Sequence, residues 1–283
     1  MKLGIEGRHA LVWGGSKGIG FACARALALE GCRITIAART EATLKQAVAT
    51  LSQEIGSGRH SQADVLTQSI APINGVVADL RTDAGRRAAL AACVEPGAAH
   101  GRTQCPDILI NNADGPRVAH PNALTREDWL AAFDPMALGP IEMIKLVLDD
   151  MQARGFGRIV NITSRSVKAS HYELGLSNGV RSVLTGFIAG LARTTIKHGV
   201  TINNLLPGIF ATDAQRQHVQ GLVEQTGRPF DTIWAERAAG NPTQRYGNPS
   251  EIGALCAYLC STQAGFITGQ NMLIDGGGFP GTL

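Results

Sequence analysis

The strongest constraint on this chain is a glycine-rich turn, Gly14-Gly15-Ser16-Lys17-Gly18-Ile19-Gly20, set between the apolar run Ala10-Leu11-Val12-Trp13 and a stretch rich in Ala and Leu. Residues without a Cβ let the backbone turn sharply and approach a pyrophosphate, with the N-terminus of the next helix aimed at it. The run before the turn reads as a buried strand and the stretch after it as a helix. A second strand, Arg33 to Ala38, follows where a βαβ unit requires it. Strands continue to alternate with helical stretches along the chain, so the expected fold class is α/β, a doubly wound parallel sheet with helices on both faces.

The spacing Gly-x-x-x-Gly-x-Gly differs from the Gly-x-Gly-x-x-Gly of long-chain dehydrogenases, and further blocks follow in a fixed order. They are Asp79-Leu80 after the third strand, Asn111-Asn112-Ala113 after the fourth, and Val160-Asn161-Ile162-Thr163-Ser164 on the fifth. After the sixth come Pro207-Gly208-Ile209 and Thr212, and then Arg245-Tyr246-Gly247-Asn248-Pro249-Ser250-Glu251 and Asp275-Gly276-Gly277. Over nearly its whole length the chain resembles the short-chain dehydrogenase/reductase family, in particular its 3-oxoacyl-carrier-protein-reductase-like members. The resemblance implies a dinucleotide site built from Gly14, Ser16, Lys17, Gly18, Ile19 and Gly20. Asp79 and Leu80 would flank the adenine, Asn112 and Ala113 the ribose, and Pro207, Gly208, Ile209 and Thr212 the nicotinamide carboxamide.

Charge at the end of the second strand predicts which dinucleotide. An NAD site wants a carboxylate there for the ribose hydroxyls, whereas a 2′-phosphate wants cations. The chain has Ala38-Arg39 and no acid, and Lys17 in the glycine turn can reach the same phosphate. The cofactor expected is NADP(H).

Composition agrees. With 283 residues the chain can bury a large core, and one domain spanning 1–283 suits the alternation of strands and helices better than two. A net charge of +3 without a Lys/Arg run argues against nucleic acid. Arg181 and Arg193 interrupt the longest apolar stretch, which argues against a membrane span. The six cysteines lack Cys-x-x-Cys pairs, so no metal site is expected, and reduced thiols fit a cytoplasmic protein. The first strand begins after only a few polar residues, so no targeting segment is expected. Two polar, Gly-containing connections, 56–69 and 96–106, read as long surface loops. The segment 210–240 carries Arg216, Gln217, His218, Gln220, Glu224 and Gln225. In the family it resembles, this region covers the substrate, although a solvated helix face has the same look.

The acid/base machinery departs from the family pattern. There a serine holds the substrate carbonyl, a tyrosine gives the proton, and a lysine four residues on sharpens the tyrosine's acidity. Ser164 fills the serine position, but thirteen residues further stands Ser177, and four beyond it Arg181. An aliphatic hydroxyl is far less acidic than a phenol of pKa about 10, and a guanidinium is effectively never deprotonated. Arg181 can still take the lysine's other tasks, binding the nicotinamide ribose and setting a positive charge beside a developing oxyanion. The relay asparagine's position is Met136. Pro135 and Pro140 would each free a helix carbonyl, of Ala131 and Met136, leaving either a water site or a simple kink. Tyr172, with Lys168 before it and His171 beside it, is the nearby phenol that could replace the lost donor. Asp114 stands where the family has glycine, and Arg117 could offset its charge.

Three function classes follow. The first is an NADP(H)-dependent oxidoreductase interconverting a carbonyl and an alcohol with an altered proton relay, which the glycine turn and both phosphate-reading cations favour. The second is a non-redox lyase, dehydratase or dehalogenase-like enzyme on the same fold; halohydrin dehalogenases also carry Arg at the lysine position, but keep the tyrosine and abandon the glycine turn. The third is a non-catalytic cofactor-binding subunit, which leaves the kept Ser164 unexplained. The resemblance also implies a homo-oligomer, tetramer or dimer, built on the helices at Trp129–Ala153 and Ser177–Ile196. The partner expected is a small carbonyl or alcohol whose identity the sequence does not specify.

Overall fold

A computed structural model describes residues 2–57, 71–94 and 105–282, so the expected loops at 56–69 and 96–106 lie largely outside the described residues. Seven parallel strands form one sheet in the order β3-β2-β1-β4-β5-β6-β7. They are β1 (His9–Trp13), β2 (Arg33–Ala38), β3 (Ile73–Val77), β4 (Ile108–Asn112), β5 (Gly157–Ile162), β6 (Val200–Pro207) and β7 (Asn271–Ile274). Strands β1, β5 and β6 are buried at every residue, as expected of parallel strands covered on both faces. One face packs on α1 (Gly18–Leu29), α2 (Glu41–Ser57) and α9 (Pro249–Cys260). The other packs on α3 (Asp83–Ala91), α5 (Gly139–Ala153) and α6 (Gly175–Thr195). The expected doubly wound α/β architecture is therefore the one observed.

The sheet turns direction between β1 and β4, because β2 and β3 lie to one side of β1 and β4 to β7 to the other. Strand ends diverge at such a switch point and leave a crevice for a ligand. Across the second half of the sheet runs a buried ladder of asparagines that the motifs do not announce. Asn111 donates to Asn161 at 2.9 Å, Asn161 to Asn204 at 3.0 Å, and Asn204 to Asn271 at 2.8 Å. The strand registers set these residues opposite one another, so each amide has the next as its partner.

The two prolines do not end the helix after β4. The helix α4 (Arg126–Phe133) passes into a π-type turn, Asp134–Leu138, in which the Gly139 amide donates to the Asp134 carbonyl, and then into α5. One extra residue in the turn absorbs the missing proline amides and places Met136, 2 % exposed, on the inner side. The polar segment 210–240 forms α7 (Asp213–Thr226) and α8 (Phe230–Ala239). Among the described residues no helix is long and apolar enough to cross a membrane.

Candidate active site

A cleft of about 660 Å³ opens at the carboxyl ends of β1, β2, β4 and β5, at the switch point. Its floor is the glycine turn. Gly14 and Gly18 have φ of +59° and +58°, a region that side chains with a Cβ rarely adopt. Gly20 lies outside the cleft lining and has a packing role, since a Cβ there would sit 2.2 Å from the Gly14 carbonyl. The Asn112 side chain ties β4 to this turn by donating to the Gly14 carbonyl at 3.2 Å. Helix α1 starts at Gly18 without a side-chain cap, whereas Thr82, Thr125, Thr212 and Asn248 cap α3, α4, α7 and α9. The first amides of α1 therefore remain for an anion.

Of the residues singled out in the sequence, Gly14, Ser16, Lys17, Gly18, Ile19, Arg39, Asp79, Leu80, Asn112, Ala113, Arg181, Pro207 and Thr212 line this cleft. Gly208 and Ile209 do not; a Cβ on Gly208 would meet Asp275 at 2.6 Å, so this glycine permits the close approach of the turn that follows β7. Asp79 is held by Arg81, whose hydrogen bonds pull its pKa down. Trp13 and Arg81 also line the cleft, and the Trp13 indole N–H is buried without a partner among the described residues. A strand-end tryptophan gives no sequence signal that distinguishes a cleft wall from core.

The charges at the cleft mouth are arranged differently from the expectation. Arg117 pairs with Asp128 at 3.0 Å and leaves Asp114, which instead pairs with Arg39. Lys17 is exposed and makes no ion pair or side-chain hydrogen bond among the described residues, so one cation is free and the other is engaged.

At the opposite end, Ser166 links Ser164 to Ser177, and Arg181 lies one turn beyond Ser177 on α6. Ser177 and Arg181 lie one turn apart on the buried face of α6. The Ser177 and Ser166 hydroxyls are 3.1 Å apart, and the Ser166 amide donates to the Ser164 hydroxyl at 3.1 Å. Ser166 was not anticipated from the sequence, because it matters only through the short turn Arg165–Val167 that Ser164 caps. Neither Ser164 nor Ser177 lines the cleft wall, whereas Thr163 and Arg181 do. Arg181 is 7 % exposed, donates to the Ile162 carbonyl at 3.1 Å, and keeps its Nε without a partner among the described residues. Burial alone pulls its pKa down to about 10, so it remains cationic at neutral pH, and no carboxylate pairs with it among the described residues.

Tyr172 does not join this group. It is 61 % exposed, stacks on His171, and donates to Glu173, a contact that raises its pKa and makes it a poorer acid. Among the described residues no His, Cys, Asp and Glu group could hold a metal, and the six cysteines are free.

A family model described as enoyl-(acyl carrier protein) reductase matches residues 14–278. A putative ketoacyl reductase of Streptomyces coelicolor is 32 % identical over 274 residues, covering 95 % of either chain. The acetoacetyl-CoA reductase of Cupriavidus necator is 34 % identical over 171 residues, which is 60 % of this chain and 65 % of that relative. The L-sorbose reductase of Gluconobacter frateurii, solved in complex with NADPH and L-sorbose, superposes over 100 % of both chains with a TM-score of 0.86 at 25 % identity.

Proposed function

The chain belongs to the short-chain dehydrogenase/reductase family, and on that premise we propose that it is an NADP(H)-dependent oxidoreductase interconverting a carbonyl and an alcohol. The observation that carries this reading is the cleft's charge. It has Lys17 and Arg39 at one end and a buried, uncompensated Arg181 at the other, joined by a glycine turn with an uncapped helix. A dinucleotide phosphate fits this set, because Lys17 and Arg181 have no carboxylate partner among the described residues and Arg39 is held only by an exposed ion pair with Asp114. The NADPH complex of the sorbose reductase supports the same choice.

In this reading the glycine turn and the first amides of α1 receive the pyrophosphate, Lys17 and Arg39 the 2′-phosphate, and Arg181 the nicotinamide ribose. The chemistry that a bound nicotinamide would supply there is hydride exchange with the substrate carbon. Ser164, next in the chain to Thr163 of the cleft wall, accepts from the Ser166 amide and keeps its hydroxyl proton, which would hold the carbonyl oxygen by a hydrogen bond. Arg181 stabilises the negative charge that grows on that oxygen, and because its guanidinium stays protonated it acts as an anchor rather than the acid. Ser177 and Ser166 share a hydrogen bond that fixes the serine cluster, and because neither these hydroxyls nor a single water is a strong acid, they serve as a relay: the alkoxide takes its proton from bulk solvent, where the hydroxide left behind is buffered. Helix α7 contributes Asp213, Ala214 and Gln217 to the cleft wall.

The test is NADPH carrying deuterium at its reactive nicotinamide carbon, incubated with ketoacyl thioesters and keto sugars. Deuterium should appear on the new carbinol carbon. Turnover of such a substrate without transfer of the label would favour the non-redox class. Arg39→Ala should weaken NADPH binding roughly tenfold and leave NADH binding nearly unchanged, as read by fluorescence titration. Equal losses for both dinucleotides would take Arg39 away from the phosphate. Ser177→Ala should lower kcat by no more than about tenfold with the NADPH Kd unchanged, because it positions rather than donates. A much larger loss would make Ser177 the donor.

Trp129 and Leu130 on α4 and Val183 and Phe187 on α6 are exposed apolar side chains on the helices from which a symmetric partner is expected. A homo-oligomer, dimer or tetramer, is expected in light scattering at micromolar concentration, and a monomer would contradict it.

A further inference from the structure

Arg39 follows β2 and Asp114 follows β4, the two strands that flank β1 in the sheet. Their ion pair therefore bridges the end of β1, across the mouth of the cleft where the glycine turn leaves the sheet. Both side chains are largely exposed, at 54 % and 73 %, so the pair is solvated and its arms are free to swing. Among the described residues Asp114 pairs with Arg39 alone, and Arg117 is bound to Asp128.

We propose that Asp114 competes with the 2′-phosphate of the cofactor for Arg39, and so reduces the preference for NADPH over NADH. The inference rests on the reading of this cleft as an NADP(H) site. A 2′-phosphate must take the guanidinium from Asp114 and then lies close to an unneutralised carboxylate. NADH carries no such phosphate, leaves the ion pair in place, and escapes both costs. Asp114 thus acts against the cation that the end of β2 provides, and it does so from a position where the family pattern has no side chain.

Fluorescence titration of the full chain with NADPH and NADH tests this in the wild type, Asp114→Asn and Arg39→Ala. Asp114→Asn should raise the ratio of NADPH to NADH affinity about fivefold, the scale of an exposed ion pair, and the gain should shrink at high salt. Its position at the exposed mouth leaves the fold intact, which the melting temperature checks. An unchanged ratio in Asp114→Asn, with Arg39→Ala still selective against NADPH, overturns the proposal and keeps the cofactor reading. A lowered ratio also overturns it, and makes Asp114 a residue that orients Arg39 for the phosphate. If the wild type binds neither dinucleotide, both readings fall together.

Discussion

Arg181→Met should cost NADPH binding roughly 10- to 100-fold and kcat/KM on the order of a thousandfold, while the melting temperature of the free protein stays level or rises. The two halves of this result have one cause. A guanidinium with 7 % exposure, one carbonyl partner and an orphaned Nε has lost much of its hydration without recovering it in the protein. Methionine, of similar reach but apolar, removes that penalty from the free protein. The same change deletes the charge-assisted bonds available to the ribose and the positive potential beside the growing oxyanion. A structural arginine would behave in the opposite way, with a fall in stability and little change in Kd. Retained affinity and turnover in the methionine variant would remove Arg181 from the site.

Asn161→Leu should destabilise the protein by about 3 kcal/mol, a fall in Tm of roughly 5 °C for a chain of this size. Asn161 is fully buried and sits in the middle of the asparagine ladder, accepting from Asn111 and donating to Asn204. Leucine fills the volume but strands an amide on one neighbour and a carbonyl oxygen on the other, and each buried orphan costs on the order of 1–3 kcal/mol. Adjacent to Asn111 stands Asn112, which ties β4 to the glycine turn, so loosening the ladder should also weaken NADPH binding. A shift in Tm of only a degree or two would mean that the ladder contributes little.

The contrast between these two sites shows what the sequence makes legible. The glycine turn, Arg39, Asn112 and Arg181 could be read because a single segment fixes each one: a strand, its turn and the helix after it. The ladder could not, since it depends on four strands meeting in one register, and register is a property of pairings rather than of any segment. The prolines at 135 and 140 signalled a disturbed helix, but a kink and an extra residue absorbed in a π-type turn share that signal. Side-chain pairing across the cleft was equally hidden. Arg117 lies nearer Asp114 in sequence than Arg39 does, yet Asp128 takes it. Tyr172 was a reasonable substitute for the missing phenol by distance along the chain, and its neighbour Glu173 holds it at the surface.

A crystal structure of the protein with NADP+ bound decides between the anchor role assigned to Arg181 and a merely structural one. The expected result has the 2′-phosphate between Lys17 and Arg39, with the Arg39–Asp114 pair broken, and the Arg181 guanidinium within hydrogen-bond distance of a nicotinamide ribose hydroxyl. A dinucleotide seated on the glycine turn with Arg181 making no contact to it, or with its 2′-phosphate directed away from both cations, would contradict the account.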